Sequence, residues 1–559
     1  MPELWTFGWQ AIPPHAHGLR SEVVGEIRHD EAGEAKVLRP RRDATAGDRA
    51  GPWYFALATL LLHFLVNGRY GYWVDELYFM ACGEHLAWGY VDQPPLIAAI
   101  AATSRLLLGD SLFAIRFFPA VAAAATVLLT GMTARQLGGG RFAQSLAAVT
   151  IIVGPIYLGF GNLLTMNAFE PFLWIVCAYV TVRILQTNDR RLWLLVGCAG
   201  GIGLLNKYSM AFFGFGLVAG LLLTPERVLL RDKWIWLAGG LAFLIFLPHL
   251  VWEAMNSFPS VELLRNAKLY QHTQVSPLEF IWGQILIVHP LTLPVWLAGV
   301  YFYLGSEQGR PYRLLGWTSV AIFGLFMLLQ AKTYYPAPLY PMLFAAGAVA
   351  IERYTAPRRR RWVRVASVVV LLAGGALTAP YVLPVLPIGQ LVTYMQAMPV
   401  REVRPERRKV GVLPQIFADM LGWENFVARV AKVYNSLPPE ERGQCAILAT
   451  DFGKAGAVDF FGGAYGLPKA LSGHQNYYLW GPRNYSGVLV LALGFSGDDL
   501  RRVFNEVEQA DVVTCEHCMP DNQEIPIFVA RGLRIPLSVF WPQLKCYTCD
   551  APAFITARR

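Results

Sequence analysis

Tyr72–Leu96 reads YWVDELYFMACGEHLAWGYVDQPPL and lies between two apolar runs. It carries carboxylates at Asp75, Glu76, Glu84 and Asp92, and it closes on the rigid Gln93-Pro94-Pro95. Acidic side chains beside hydrocarbon carry a solvation cost, so a chain that keeps them there points to chemistry. The competing reading is an ordinary polar loop between two membrane helices. The pattern outside the loop decides between the two.

Of the 559 residues, 55% are hydrophobic and only 16% are charged, with a mean hydropathy of +0.37. A soluble protein carries about a quarter charged residues. Apolar runs of roughly 20 residues recur up to position 390 and define a polytopic α-helical membrane protein. Residues 1–50 are polar and mixed in charge, and are expected to form a disordered cytoplasmic tail without a cleavable signal peptide. Residues 51–390 form the membrane domain. Residues 391–559 have ordinary polarity and are expected to form a small soluble α/β domain.

The apolar runs predict eleven spans, at 53–68, 114–134, 142–160, 164–184, 192–206, 208–224, 234–252, 279–303, 314–330, 335–351 and 363–385. The apolar stretch 95–109 is short and contains Arg105, which predicts an interfacial helix. The formal charge of +9 does not point to nucleic acid, because much of the excess sits in short loops. Arg135 and Arg141, then Arg183, Arg190 and Arg191, then Arg227, Arg231 and Lys233, then Arg310 and Arg313 all fall on one side. Arg353, Arg358 to Arg361 and Arg364 join them, and this side is expected to be cytoplasmic. The basic segment 401–409, REVRPERRK, falls on the other side, after the last span, where the rule is weaker.

With this orientation, the isolated polar residues gather at the outer ends of the spans. Asp75, Glu76 and Asp92 share the first outer loop. Asn162, Thr165, Asn167 and Glu170 open the fourth span, and Asn206, Lys207 and Tyr208 form the next outer turn. The loop 253–278 holds Glu253, Glu262, Arg265, Lys268 and His272. His289 lies two to three turns into the following span, and Lys332, Tyr334 and Tyr335 form a further outer turn. Each alone reads equally as a loop charge or a snorkelling lysine; the set on one face does not.

Carboxylates facing lysines and tyrosines at a membrane surface suit a lipid-linked phosphate. Lys207 and Lys332 can neutralise a departing phosphate, and Asp75 or Glu76 can take a proton from an acceptor hydroxyl. Tyr208, Tyr334 and Tyr335 can donate hydrogen bonds or stack on a sugar. Asp92, fixed by its prolines, can hold a divalent cation or position a helix. No Walker loop, dinucleotide fingerprint or H-E-x-x-H motif is present, so no nucleotide cofactor is expected.

These residues resemble a known family. Asp75-Glu76, the later Asp92-Gln93-Pro94-Pro95, and Arg116 opening the next span are similar to the pattern of GT-C membrane glycosyltransferases. The branch is that of protein O-mannosyltransferases and the lipid A aminoarabinose transferase. TMNAFEP (165–171), GLLNKYS (203–209), HPLTLPVWLAG (289–299) and AKTYYPAPLYPMLF (331–344) resemble its later motifs in the same order. The resemblance covers about 53–352. It implies a GT-C fold in the cytoplasmic membrane and an inverting transfer of sugar from a polyprenyl-phosphate donor to a lipid, glycan or protein acceptor outside the cytoplasm. It implies that Asp75 is the base, with Glu76 beside it. It implies that Glu170, Lys207, Tyr208, Lys332, Tyr334 and Tyr335 bind substrate and phosphate. It also implies a metal near Asp92, with His272 and His289 as candidate partners. The family's second acidic motif has Asp near its start, where this chain has Met166-Asn167 and reaches an acid only at Glu170.

In the tail, CAILATDF (445–452), GVLVLALG (487–494) and DVVTCE (511–516) predict strands, and SGDDLRRVFNEVEQA (496–510) predicts a Ser-capped helix. Cys515, Cys518, Cys546 and Cys549 have zinc-like spacing, but an extracytoplasmic location favours disulfides. The aromatic and amide-rich GHQNYYLWGPRNY (473–485) reads as a carbohydrate-binding loop or as domain packing. Acceptor binding is the expected role of this domain. Two other classes compete with an enzyme. A lipid-linked sugar transporter would place its charge near the midplane, often in inverted repeats. A non-catalytic envelope scaffold would work through its soluble domain.

Overall fold

The computed structural model describes residues 46–271, 275–398 and 411–548. Residues 50–559 belong to one compact unit. The tail 1–45, His272, the basic segment 401–409 and Cys549 lie outside the described residues.

The opening stretch is itself helical. After α1 (Ala46–Val66) come α2 (Val74–Glu84) and α3 (Leu96–Leu108). Asp75 and Glu76 occupy the first turn of α2, where carboxylates meet unpaired N–H groups and the positive end of the helix dipole. Glu76 closes that turn by accepting the Trp73 N–H at 2.9 Å. The two prolines precede α3, which ends at Gly109 with φ +87°, a left-handed position that suits a residue without Cβ. Leu106, Leu107 and Leu108 in its last turn are exposed.

The bundle continues with α4 (Leu112–Ile115), α5 (Phe117–Gln136), α6 (Arg141–Ile152), α7 (Pro155–Gly161) and α8 (Met166–Thr187). Next come α9 (Trp193–Asn206), α10 (Met210–Leu222), α11 (Lys233–Met255), α12 (Pro259–Asn266), α13 (Pro277–Ile287) and α14 (Leu293–Gly305). α15 (Arg313–Leu328), α16 (Tyr340–Tyr354), α17 (Trp362–Thr378) and α18 (Ile388–Ala397) complete it. Every stretch read as a span is helical, but not every one is a full-length span. Among the described residues, five helices are long and apolar enough to cross a membrane, or up to eight if each bent pair counts as one. The stretch 279–303, read as one span, is α13 and α14 bent by 94°. Pro290 lacks the N–H that would continue the helix, and His289 before it has φ +82°. His289 therefore stands at a break and not within a span. Gly154-Pro155 breaks 142–160 in the same way, by 67°.

Small residues bring the helices together. A Cβ at Gly197 would meet the Ala238 carbonyl of α11, one at Gly299 the Leu343 carbonyl of α16, and one at Gly347 the Val295 carbonyl of α14. This is how helices pack where the apolar surroundings give no hydrophobic drive.

The tail builds α19 (Gln415–Ala418), α20 (Trp423–Ser436), α21 (Pro439–Arg442), β1 (Cys445–Ala449), α22 (Phe452–Phe461), β2 (Leu471–Ser472), α23 (Gln475–Trp480), β3 (Leu489–Leu493), α24 (Gly497–Val503), β4 (Phe504–Thr514) and β5 (Glu524–Leu533). The sheet order is β2-β1-β3-β5-β4. β1 runs parallel to β2 and β3, while β5 is antiparallel to both β3 and β4. The helix expected over 496–510 stops at Val503. From Phe504 the chain pairs with β5 as far as Thr514, and ladder pairing overrides the local helical preference. Cys515 and Cys518 form a disulfide, and Cys546 is disulfide-bonded as well. The aromatics of 473–485 pack inward: Tyr477 is buried and Tyr478 stacks on Trp541.

Packing crosses the boundary drawn at residue 390. Leu77, Tyr78, Phe79, Tyr90 and Ile97 share one core with Phe426, Ile447, Val458 and Leu491. Glu84 bridges Arg105 at 2.9 Å and Lys469 at 2.6 Å.

Candidate active site

Glu76 is fully buried and anchors the site. Its two oxygens take Nε and Nη2 of Arg116, each at 2.9 Å. They also accept the N–H groups of Trp73 and Leu164, both at 2.9 Å. Leu164 lies in the turn that enters α8, so this pair ties the start of α2 to the start of α8. With four donors on two oxygens, Glu76 has no room to act as a base. Arg116 and two backbone N–H groups thus occupy the carboxylate that the sequence pairs with Asp75 as a catalytic group. Asp75, its neighbour, is only partly buried.

The second acidic motif and the lysine turn meet. Lys207 Nζ donates to Asn167 Oδ1 at 2.6 Å and to Glu170 Oε2 at 3.0 Å. Ser209 donates to the other Glu170 oxygen, and Asn206 Nδ2 donates to the Met166 carbonyl at 2.9 Å. The ammonium lies 4.8 Å from the Tyr335 ring centroid and 5.4 Å from that of Tyr334, within cation–π range. The sequence places these groups 37 residues apart or more; the fold makes them one cluster. Glu170 thus holds the lysine, a role that its shifted position in the motif did not suggest. The aromatic turn is itself fixed. Gln284 Nε2 donates to the Thr333 carbonyl at 2.7 Å, and Tyr340 donates to Gln284 Oε1 at 3.1 Å. Lys332 is partly exposed in the same turn.

Tyr208 faces the other way, toward α11. Its hydroxyl lies 2.7 Å from His249 Nε2 and 3.2 Å from Glu253 Oε1. His249 Nδ1 lies 2.8 Å from the Trp88 carbonyl. A carbonyl only accepts, so Nδ1 of His249 carries a proton. α11 turns most of its surface outward; Ala238, His249 and Glu253 are its buried residues. His249 was missed in the sequence because a histidine inside an apolar run carries no spacing signal. The one available clue was that it lies four residues from Glu253, on the same face of a helix.

Asp92 is partly buried, and its Oδ1 accepts the Tyr78 O–H at 2.9 Å. Burial pushes its carboxyl up to about 6, against the hydrogen bond from Tyr78. Among the described residues, no three His, Cys, Asp or Glu side chains converge as a metal centre. His289 Nδ1 accepts the Leu291 N–H at 3.2 Å, and its ring lies against Gly374. The partners of Asp92 and His289 differ, and the donor set implied for a metal is not assembled by these two residues.

Four turns therefore converge at one end of the bundle: α2 with its loop, the entry to α8, the Lys207-Tyr208 turn, and 332–335. The fold is the GT-C fold, a helical bundle with a small C-terminal sheet domain. Two solved structures carry the same fold. ArnT from Cupriavidus metallidurans bound to undecaprenyl phosphate superposes with a TM-score of 0.60 at 15% identity, over 87% of this chain and 98% of that one. Its apo form gives 0.57 at 16% identity, over 86% and 98%. Residues 92–252 match the family described as dolichyl-phosphate-mannose-protein mannosyltransferase; the match begins at Asp92 and ends in α11. The lipid A galacturonosyltransferase RgtD of Rhizobium johnstonii is 24% identical over 265 residues, which is 46% of this chain and 55% of that protein. The chain thus aligns with about half the length of that relative.

Proposed function

We propose that this chain is a glycosyltransferase that uses a polyprenyl-phosphate-linked sugar as donor. The observation that carries this reading is the Lys207 ammonium. It is held by Asn167 and Glu170 beneath Tyr334 and Tyr335, and bonds through the α8 entry join it to the turn bearing Asp75. A fixed cation at the end of a helical bundle is what a departing lipid phosphate requires. The relatives support the same chemistry: one is named for galacturonosyl transfer to lipid A, and the other binds undecaprenyl phosphate.

In this mechanism Asp75 takes the proton of the acceptor hydroxyl as its oxygen attacks the anomeric carbon. The bond from that carbon to the phosphate oxygen breaks on the opposite face, so configuration inverts. The polyprenyl phosphate leaves with its charge met by Lys207 and Lys332, while the tyrosine rings flank the sugar. The acceptor is a lipid, glycan or protein at the outer face of the cytoplasmic membrane, which puts the N-terminus inside and the α/β domain outside. No step requires a nucleotide, and none is assigned to a metal.

Asp75→Asn tests the reading. The variant should insert and bind undecaprenyl phosphate as the natural chain does, yet fail to restore the missing glycan or lipid modification in a deletion strain. Full restoration would remove Asp75 as the base.

A further inference from the structure

One polar path crosses the apolar core between the α/β domain and the first loop. Asn476, buried at the start of α23, accepts the Val91 N–H on its Oδ1 at 3.1 Å. Its own N–H donates to the Tyr78 hydroxyl at 3.3 Å. Tyr78 in turn donates to Asp92 Oδ1 at 2.9 Å. A phenol has one proton. With Asn476 donating to its oxygen, that proton is directed at Asp92. A single residue of the soluble domain therefore holds both the backbone before Asp92 and the partner of its carboxylate.

Asn476 is itself held firmly. Gln475 before it has φ +50°, a left-handed position uncommon for a residue with a side chain. Two bonds fix it there: its N–H donates to the Cys546 carbonyl at 3.2 Å, and its Nε2 donates to the Tyr547 carbonyl at 2.9 Å. Cys546 closes the bridge by donating to the Gly473 carbonyl at 2.8 Å. At the far end of the path, Trp88 of the same loop meets His249 Nδ1 through its carbonyl.

We infer that Asn476 is a positioning residue for the membrane site, setting the place of Asp92 through Val91 and Tyr78. The α/β domain is then part of the site and not only a platform for acceptors. The inference deepens the glycosyltransferase reading and rests on it wherever sugar transfer is the readout.

The test uses the full-length chain with Asn476→Ala, Tyr78→Phe and the double variant. Transfer is read as restored modification in a deletion strain, per amount of inserted protein. Hydrogen exchange at Val91 is read on the purified chain. Asn476→Ala removes the carboxamide's hold on Val91 but keeps the backbone N–H that meets Tyr78, and Tyr78→Phe removes the bond to Asp92. Each single variant should lower transfer about tenfold, and the double variant should lower it little further, because both act through the placing of the one Asp92. Asn476→Ala should speed exchange at Val91, while Tyr78→Phe, which keeps the Asn476 carboxamide, should leave it unchanged. Natural transfer in Asn476→Ala, a double loss near a hundredfold, or unchanged Val91 exchange would each overturn the inference. A natural chain without transfer would overturn the glycosyltransferase reading instead, and Val91 exchange would then decide on Asn476 alone.

Discussion

Glu76 and Arg116 meet in two N–H···O bonds of 2.9 Å, with both side chains fully buried. Arg116 spends its other donors on the carbonyls of Asn67 at 3.0 Å and Gly71 at 2.6 Å. Removing one partner of such a pair leaves a buried charge uncompensated, at a cost of about 3–5 kcal/mol. Glu76→Ala and Arg116→Ala should therefore lose folded protein, seen as a lower melting temperature in detergent. Arg116→Lys should not rescue, since an ammonium cannot make the two-pronged contact. Glu76→Gln protein that remains folded should still transfer sugar. A folded but inactive Glu76→Gln would return Glu76 to the chemistry.

Lys207 is the group most exposed to test by rate. Lys207→Met should lower transfer about a hundredfold or more, the scale of losing one charge-stabilising donor. Glu170→Ala frees the ammonium from its carboxylate and should cost less, about tenfold, because Asn167 and the two rings still hold it. Lys207→Arg should recover little, because the planar fork needs different surroundings. The measurement is initial transfer rate alongside undecaprenyl phosphate binding. A Lys207→Met chain at the natural rate would end the proposed phosphate role.

The sequence reached much of this by one kind of reasoning. Charges at the ends of apolar runs are costly wherever they fall, so Glu170, Lys207, Tyr208 and Tyr335 could be picked out before any contact was known. What each one does could not be read. Glu76 and Asp75 are adjacent and of the same chemical type, and only the fold shows that Glu76 is saturated by Arg116 and two backbone donors. Asn476 was hidden for another reason. It lies in an aromatic stretch that reads as packing, and its partners are 385 and 398 residues away. The end of β4 was legible at 511–514, but 504–510 read as helix because its mostly exposed residues owe their strand conformation to β5.

Asp459 should make the α/β domain sensitive to pH. It is buried in α22, accepting the Tyr477 O–H at 2.9 Å and the Ala470 N–H at 2.7 Å. Burial pushes its carboxyl up from 3.8 to about 6. Between these values the folded chain holds a proton that the unfolded chain has released. The stabilisation is thus full below the unfolded value and is lost as pH rises through about 6. At 1.36 kcal/mol per unit, the change is about 3 kcal/mol. Asp459→Asn should raise the melting temperature at pH 7.5 and remove this drift between pH 4.5 and 7.5. An unchanged drift would place its origin elsewhere.

Gly347 and Gly324 offer a matched pair of tests for the bundle. Alanine favours a helix over glycine by about 1 kcal/mol, so either substitution should stabilise if nothing else intervened. At Gly324 nothing lies within 4 Å of an added Cβ, and Gly324→Ala should be neutral or slightly stabilising. At Gly347 the Cβ would run into the Val295 carbonyl and sit 2.9 Å from the Gly299 nitrogen. Backbone cannot rotate away as a side chain can, so α14 and α16 must separate, costing about 1–3 kcal/mol. Pro336 and one 3-10 turn (Ala337–Leu339) join the Tyr334-Tyr335 turn to α16, so this separation should also shift the aromatic cover of Lys207. Gly347→Ala should therefore lower both the melting temperature and the transfer rate, while Gly324→Ala moves neither downward. Equal effects at the two positions would show that close packing of α14 on α16 does not set the geometry of the lysine site.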